Sequence, residues 1–102
     1  MRAEVLKGHL DLLLLSVLAN APLHGYAVIE ELRERGGFEL PEGTIYPALH
    51  RLERAGLLES SWSAASGRRR RVYSLTPRGR KDLAARREEW TRFSGAVQAV
   101  VS

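Results

Sequence analysis

Leu6, Leu10, Leu13, Leu14, Val17 and Leu18 recur at spacings of three and four, the period of a helix. Leu12 and Leu15 carry apolar surface beyond that stripe. A helix that is apolar on more than one side is buried on more than one side. One side is expected to meet its own core and the other a partner subunit. Pro22 closes this segment, and a second helix is expected over residues 26–35, with Val28, Ile29 and Leu32 inward and Glu30, Glu31 and Glu34 outward. Gly36 and Gly37 stop it.

A third helix is expected over residues 44–56. Thr44 reads as its N-cap, because a threonine hydroxyl satisfies a free first-turn amide. Pro47 then falls in the first turn, where amides lack intrahelical partners anyway. Ile45, Ala48, Leu49 and Leu52 form the inner stripe, and Tyr46, Pro47, His50, Arg51 and Arg54 point away from it. Arg51 reads as bracing a core edge. Residues 57–63 and 70–76 read as two strands joined by the turn Ala64-Ala65-Ser66-Gly67. Leu58 and Trp62 share one face, and Tyr73 and Leu75 share another. Thr76-Pro77 is a helix start, and Leu83, Trp90, Phe93, Val97 and Val100 give the last helix a heptad-like stripe suited to helix pairing.

The expected fold is mainly α with a small β-hairpin. It is a winged helix-turn-helix over residues 1–76, completed by a C-terminal dimerisation helix over residues 77–102 in the same compact unit. At 102 residues the chain can bury only a modest core, so a partner chain would help it. The run Arg68 to Arg71 lies on the hairpin, directly after a compact helix. Charge is divided along the chain. Residues 1–57 hold six Lys/Arg against eight Asp/Glu, and residues 58–102 hold ten against four. A localised basic patch points to a polyanion, and this order of elements points to double-stranded DNA.

Candidate DNA contacts are Tyr26, Thr44, Tyr46, Pro47, His50 and Arg54, with Arg68, Arg69 and Arg70 on phosphate or in the minor groove. Strand alternation sends only half of the arginines to either face, so pairing of Arg70 and Arg71 with Glu59 is the alternative. Tyr26 opens a helix whose free amides suit a phosphate, whereas His24 fits turn packing. His9, His24 and His50 are too far apart in sequence to share a helix turn, and the chain has no cysteine, so no metal or other cofactor is expected. No nucleophile elbow, Gly-rich phosphate loop or paired-carboxylate motif points to catalysis. Arg2, Lys7 and the run Leu12 to Ala19 imitate a secretory leader, but Glu4, His9 and Asp11 contradict it. A cytoplasmic, nucleoid-associated protein without membrane contact is the expectation.

Several motifs occur in series. They are Leu23-His24-Gly25-Tyr26, the stretch from Gly43-Thr44-Ile45-Tyr46-Pro47 to Glu53, Gly56-Leu57-Leu58-Glu59, Gly67-Arg68-Arg69-Arg70, and Tyr73-Ser74-Leu75-Thr76-Pro77-Arg78-Gly79. Over roughly residues 6 to 93 they closely resemble the PadR family of bacterial transcriptional regulators. The resemblance implies a dimeric winged-helix DNA-binding protein, usually a repressor and often released by a small molecule. It is to the short subfamily, in which a single C-terminal helix completes the dimer. Leu10, Leu13, Leu14, Trp90, Phe93, Val97 and Val100 are the expected dimer contacts. In some short members an aromatic on the last helix lines a ligand pore between subunits, and Trp90 sits at the matching place. Trp90, Phe93, Leu12 and Leu15 are then the candidate walls for a planar aromatic or amphipathic ligand. From spacing alone, Trp90 reads as simple dimer core, and it is the resemblance that brings in the ligand role. A protein-interaction or ligand-binding module without operator binding is the alternative function.

Overall fold

The computed structural model describes residue 6, residues 8–65 and residues 67–102. In chain order these form α1 (Leu10–Leu18), β1 (Leu23–His24), α2 (Gly25–Gly36), α3 (Glu42–Arg54), β2 (Leu58–Ser63), β3 (Arg70–Leu75) and α4 (Pro77–Val101). Arg2, Glu4 and Lys7 of the leader-like segment and Ser66 of the hairpin turn lie outside the described residues.

Helix α1 lies at the centre, packed against α2, α3, α4 and β3. Leu14 and Leu15 have no exposed surface, and Leu18 is equally enclosed. The second apolar side of α1 is therefore used within the chain. This corrects the expectation that Leu14 meets a partner subunit and that Leu15 lines a ligand pore, because neither has surface left to offer. Leu10, Leu12 and Leu13 are only partly buried against the core.

His24 caps α2, its Nδ1 accepting the Ala27 amide at 3.2 Å. The helix ends at Gly37, which takes φ 71°, a left-handed conformation that glycine adopts without cost. Helix α3 starts earlier than expected, which corrects the assignment of Thr44 as its N-cap. Pro41 holds that place in extended conformation, and its carbonyl accepts the Thr44 and Ile45 amides at 3.0 and 3.2 Å. Pro47 then stands inside the helix rather than in its first turn. It has no amide to give the Gly43 carbonyl, so one rung of the ladder is missing. The expected inner stripe is correct, with Ile45, Ala48, Leu49 and Leu52 all buried.

The sheet is antiparallel in the order β1-β3-β2. Its first strand, paired as Leu23↔Tyr73 and His24↔Val72, has only two residues and carries no sequence signal. Leu58, Tyr73 and Leu75 enter the core, whereas Trp62 is 55% exposed. The apolar face expected of β2 thus ends after its first residue. Beyond it the hairpin leaves the body of the molecule as a wing, bearing the arginine run at its far end.

Thr76 caps α4 as its sequence suggests. Its Oγ1 accepts the Gly79 amide at 3.0 Å and donates to the Gly56 carbonyl oxygen at 2.7 Å. A Cβ at Gly79 would lie 2.0 Å from the Leu57 carbonyl oxygen, so only glycine lets the helix come this close to the turn before β2. Leu83 joins the core. The rest of the α4 stripe does not: Trp90, Phe93, Val97 and Val100 remain 41 to 84% exposed. No helix among the described residues is long and apolar enough to cross a membrane.

Candidate nucleic-acid interface

The first turn of α2, the first turns of α3 and the wing converge on one open concavity of about 480 Å³. Tyr26 and His24 come from the start of α2, Tyr46 and Glu42 from α3, and Arg68 to Arg71 with Trp62 from the wing. Of the residues singled out in the sequence, Tyr26, Tyr46, Arg68, Arg69 and Arg70 are brought together here. Thr44, Pro47, His50 and Arg54 do not line it. They occupy the exposed outer side of α3, beside the concavity rather than within it.

Tyr46 is half-buried because its ring lies over the backbone of Gly25. A Cβ on Gly25 would sit 2.3 to 2.8 Å from that ring, so the glycine is what admits the tyrosine. His50 lies near the buried Tyr73, with ring centroids 6.4 Å apart. Burial first, and then the charge of Glu53, raises the pKa of the Tyr73 phenol. It therefore stays neutral beside the basic wing.

The four arginines divide their work. Arg68 and Arg69 are exposed. Arg69 lies over the face of Trp62, 4.4 Å from the ring centroid, and Arg71 stands 5.4 Å from the same ring. A cation over an exposed indole is held by about 0.5–1 kcal/mol, enough to bias a long side chain toward one place. Arg71 also donates from Nε to Ser60 Oγ at 2.8 Å, and its NH2 is 3.6 Å from Glu53 Oε2. Ser60 in turn donates to the same Glu53 oxygen at 2.5 Å. The expected partner Glu59 is thus corrected to Glu53. Glu59 alternates to the other side of β2 from Ser60, so a residue of α3 takes its place. The consequence is a tie between wing and helix.

Arg70 NH1 lies 2.6 Å from His24 Nε2. A neutral imidazole has one proton and one lone pair, so it cannot accept from both Arg70 and the Ala27 amide. Burial first, then Arg70, lowers the His24 pKa, with Glu30 opposing. The neutral ring is favoured, and its single lone pair is contested by Arg70 and the Ala27 amide at the rim of the concavity.

On the other flank of α3, Arg51 grips Asp11 of α1 with both prongs, at 2.6 and 3.0 Å. That hydrogen bond is the main reason the Arg51 pKa is raised. Arg51 thus braces the helix and is not free for a groove. Sequence reasoning missed Trp62 and Asp11. The first had a detectable signal, since a lone tryptophan on a serine-rich strand opposite an arginine run has no core to enter.

A second concavity of about 470 Å³ lies between the chain just before α1 and the middle of α4, lined by Gly8, His9, Leu12, Arg86, Trp90 and Phe93 among others. His9 meets the Trp90 ring edge-on at a centroid distance of 5.2 Å. Trp90, Phe93 and Leu12 of the expected ligand walls are here, and Leu15 is not.

The model of the PadR-like family of transcriptional regulators matches residues 14–85. A transcriptional regulator of Mycobacterium tuberculosis is 48% identical over 65 residues, which cover 64% of this chain and 60% of that protein. A PadR family transcription regulator from Clostridium difficile superposes with a TM-score of 0.86 and 35% identity, over 93% of this chain and all of its own. A PadR-like regulator from Bacillus cereus gives 0.90 and 28% over 98% of both chains. The likeness to these structures includes the small three-stranded sheet and the long last helix.

The geometry carries one expectation about the exposed pair on the wing. Phosphate contacts bring affinity without sequence preference. Replacing Arg68 and Arg69 together by Ala should weaken binding to any duplex, and the log–log salt slope should shrink by about one for each phosphate no longer neutralised. A slope that does not move would mean the pair is merely solvated.

Proposed function

Since the chain belongs to the PadR-like family of transcriptional regulators, we propose that it acts as a homodimeric repressor of a pseudo-palindromic operator, released when a planar aromatic or amphipathic molecule binds between its subunits. The observation that carries the DNA reading is the concavity shared by α2, α3 and the wing, where the arginines border the outer side of α3. A helix entering a major groove would place His50, Pro47 and Arg54 toward the bases. The wing would reach the neighbouring backbone or minor groove with Arg68 and Arg69. Arg70 shares the single lone pair of a neutral His24 ring with the Ala27 amide, and a phosphate oxygen would offer it an acceptor of its own. Such a regulator works in the cytoplasm, at the nucleoid.

Two copies set the spacing. Half-sites about 34 Å apart place two recognition helices in successive major grooves on one side of the duplex. The stripe Trp90, Phe93, Val97 and Val100 is apolar and open to water, which supports pairing with a second copy. Leu10 and Leu13 are only partly buried and keep surface for such a contact, whereas Leu14 is not available to it. The concavity at Trp90 then lies next to the subunit boundary. Its aromatic walls suit a flat ligand, each ring contact adding about 0.5–1.5 kcal/mol beyond area burial.

Three outcomes test this reading. His50→Ala should cost about 1–3 kcal/mol at the operator and little on random DNA, measured by fluorescence anisotropy on both. Equal losses on every sequence would make His50 a backbone anchor. Ending the chain after Arg87 removes most of the stripe, so sedimentation should find a monomer or an unstable protein. A stable, DNA-binding monomer would refute the dimer. In a Trp62→Phe background, planar dyes should quench Trp90 and release operator DNA together, by roughly 5- to 150-fold. Quenching without release would leave a pocket with no part in regulation.

A further inference from the structure

Asp11 is shared by arginines from two other helices. Arg51 of α3 holds it with a two-pronged grip, NH2 to Oδ1 at 2.6 Å and NH1 to Oδ2 at 3.0 Å. Arg86 of α4 approaches the same Oδ2 at 3.7 Å. Arg86 is itself fixed to its own helix, one turn back, by Asp82 at 2.5 Å. The Asp11 side chain is 18% exposed, the most enclosed of the three. Arg86 also lines the concavity beside Trp90.

Helix α3 meets the core through Ile45, Ala48, Leu49 and Leu52. Apolar contacts are not directional, so this stripe alone leaves the helix free to turn slightly about its axis. Directional ties fix that angle. Among the described residues, Glu53 ties one flank of α3 to Ser60 and Arg71 of the wing, and Arg51 ties the opposite flank to Asp11. A bidentate guanidinium–carboxylate pair sets orientation as well as distance.

We propose that Asp11 is a positioning residue for α3, joining the helix that faces DNA to α4, so that the set of α3 in the groove depends on where Arg86 lies. The proposal rests on the DNA reading above. It gives the concavity at Trp90 a physical route to the DNA. A molecule that draws Arg86 toward itself leaves Asp11 to Arg51 alone and shifts one of the two ties on α3. Arg86 reaches Asp11 at 3.7 Å from a side chain that is 33% exposed, so losing that one contact costs the fold little while it shifts the tie on α3.

The test needs no ligand. The full chain is compared with Arg86→Gln, Asp11→Asn and the double variant on a duplex selected from a random library. Arg87→Gln is the charge-matched control, since Arg87 makes no ion pair among the described residues. Arg86→Gln should change operator affinity by about 2- to 30-fold. Its salt slope should stay that of the wild type, because the same phosphates remain neutralised. Arg87→Gln should change affinity by less than about twofold, and in the Asp11→Asn background Arg86→Gln should add nothing further. Circular dichroism and thermal unfolding check that each variant folds. If Asp11→Asn does not, Arg51→Lys serves as the second background, keeping the charge while giving up the two-pronged grip. Additive effects of Arg86→Gln and Asp11→Asn, or equal effects of Arg86→Gln and Arg87→Gln, would overturn the proposal alone. A wild-type chain that binds no duplex would overturn the DNA reading and this proposal with it.

Discussion

The structure depends on the enclosure of one short helix. α1 is nine residues long, and other elements cover it from several directions. A chain of about 100 residues has little interior, so a helix whose leucines are buried on several sides organises everything around it. α2, α3, β3 and α4 all pack on it. Fully burying a leucine side chain is worth about 1.5–3 kcal/mol, and Leu14, Leu15 and Leu18 are all enclosed. The same enclosure keeps Asp11 in place. It is the one acidic residue of α1, held within reach of two helices that do not otherwise share a polar contact among the described residues.

The polar contacts are arranged around that core so that rigid and available groups alternate. Arg51 and Arg71 are spent on carboxylates and hold α3 from its two flanks. Arg69 is left with an indole and Arg70 with a histidine, and Arg68 is exposed. Charge on the wing is therefore not one property shared by four side chains. A basic run that looks uniform in sequence contains a brace at Arg71, tied to Glu53 and Ser60, and exposed cations at Arg68 and Arg69, which precede the strand.

Much of this was legible in the sequence. Thr76 and Pro77 announce α4, and the inner stripe of α3 is visible from its spacing, because helix period and capping chemistry are local. The hairpin was legible from its two strands and turn. What escaped were features decided by neighbours far along the chain. The N-cap of α3 is Pro41, which lacks a capping side chain and works through its carbonyl, so Thr44 drew attention instead. The burial of Leu14 and Leu15 depends on how many elements reach α1, a number that periodicity does not contain. The pairing of Arg71 with Glu53 needs the register of β2 on β3 and the position of α3 together. The convergence of Tyr26, Tyr46 and the wing was legible as three separate motifs. Their meeting in one concavity depends on Gly25, where the absent side chain makes room for the Tyr46 ring.

The close approach of Gly79 to Leu57 has a mechanical side. It fixes one end of α4 against backbone, where nothing can yield, while the residues of the other end are mostly exposed. A helix of 25 residues is about 37 Å long. It is a lever with its fulcrum beside the turn that leads into the wing. A tilt of about 5° at the fulcrum carries the far tip about 3 Å, and the reverse also holds: a displacement of about 3 Å at the tip reaches the fulcrum as a rotation too small to disturb its packing. Distance along α4 therefore works as gearing, trading reach at the tip for fine angular control where the helix meets the rest of the chain.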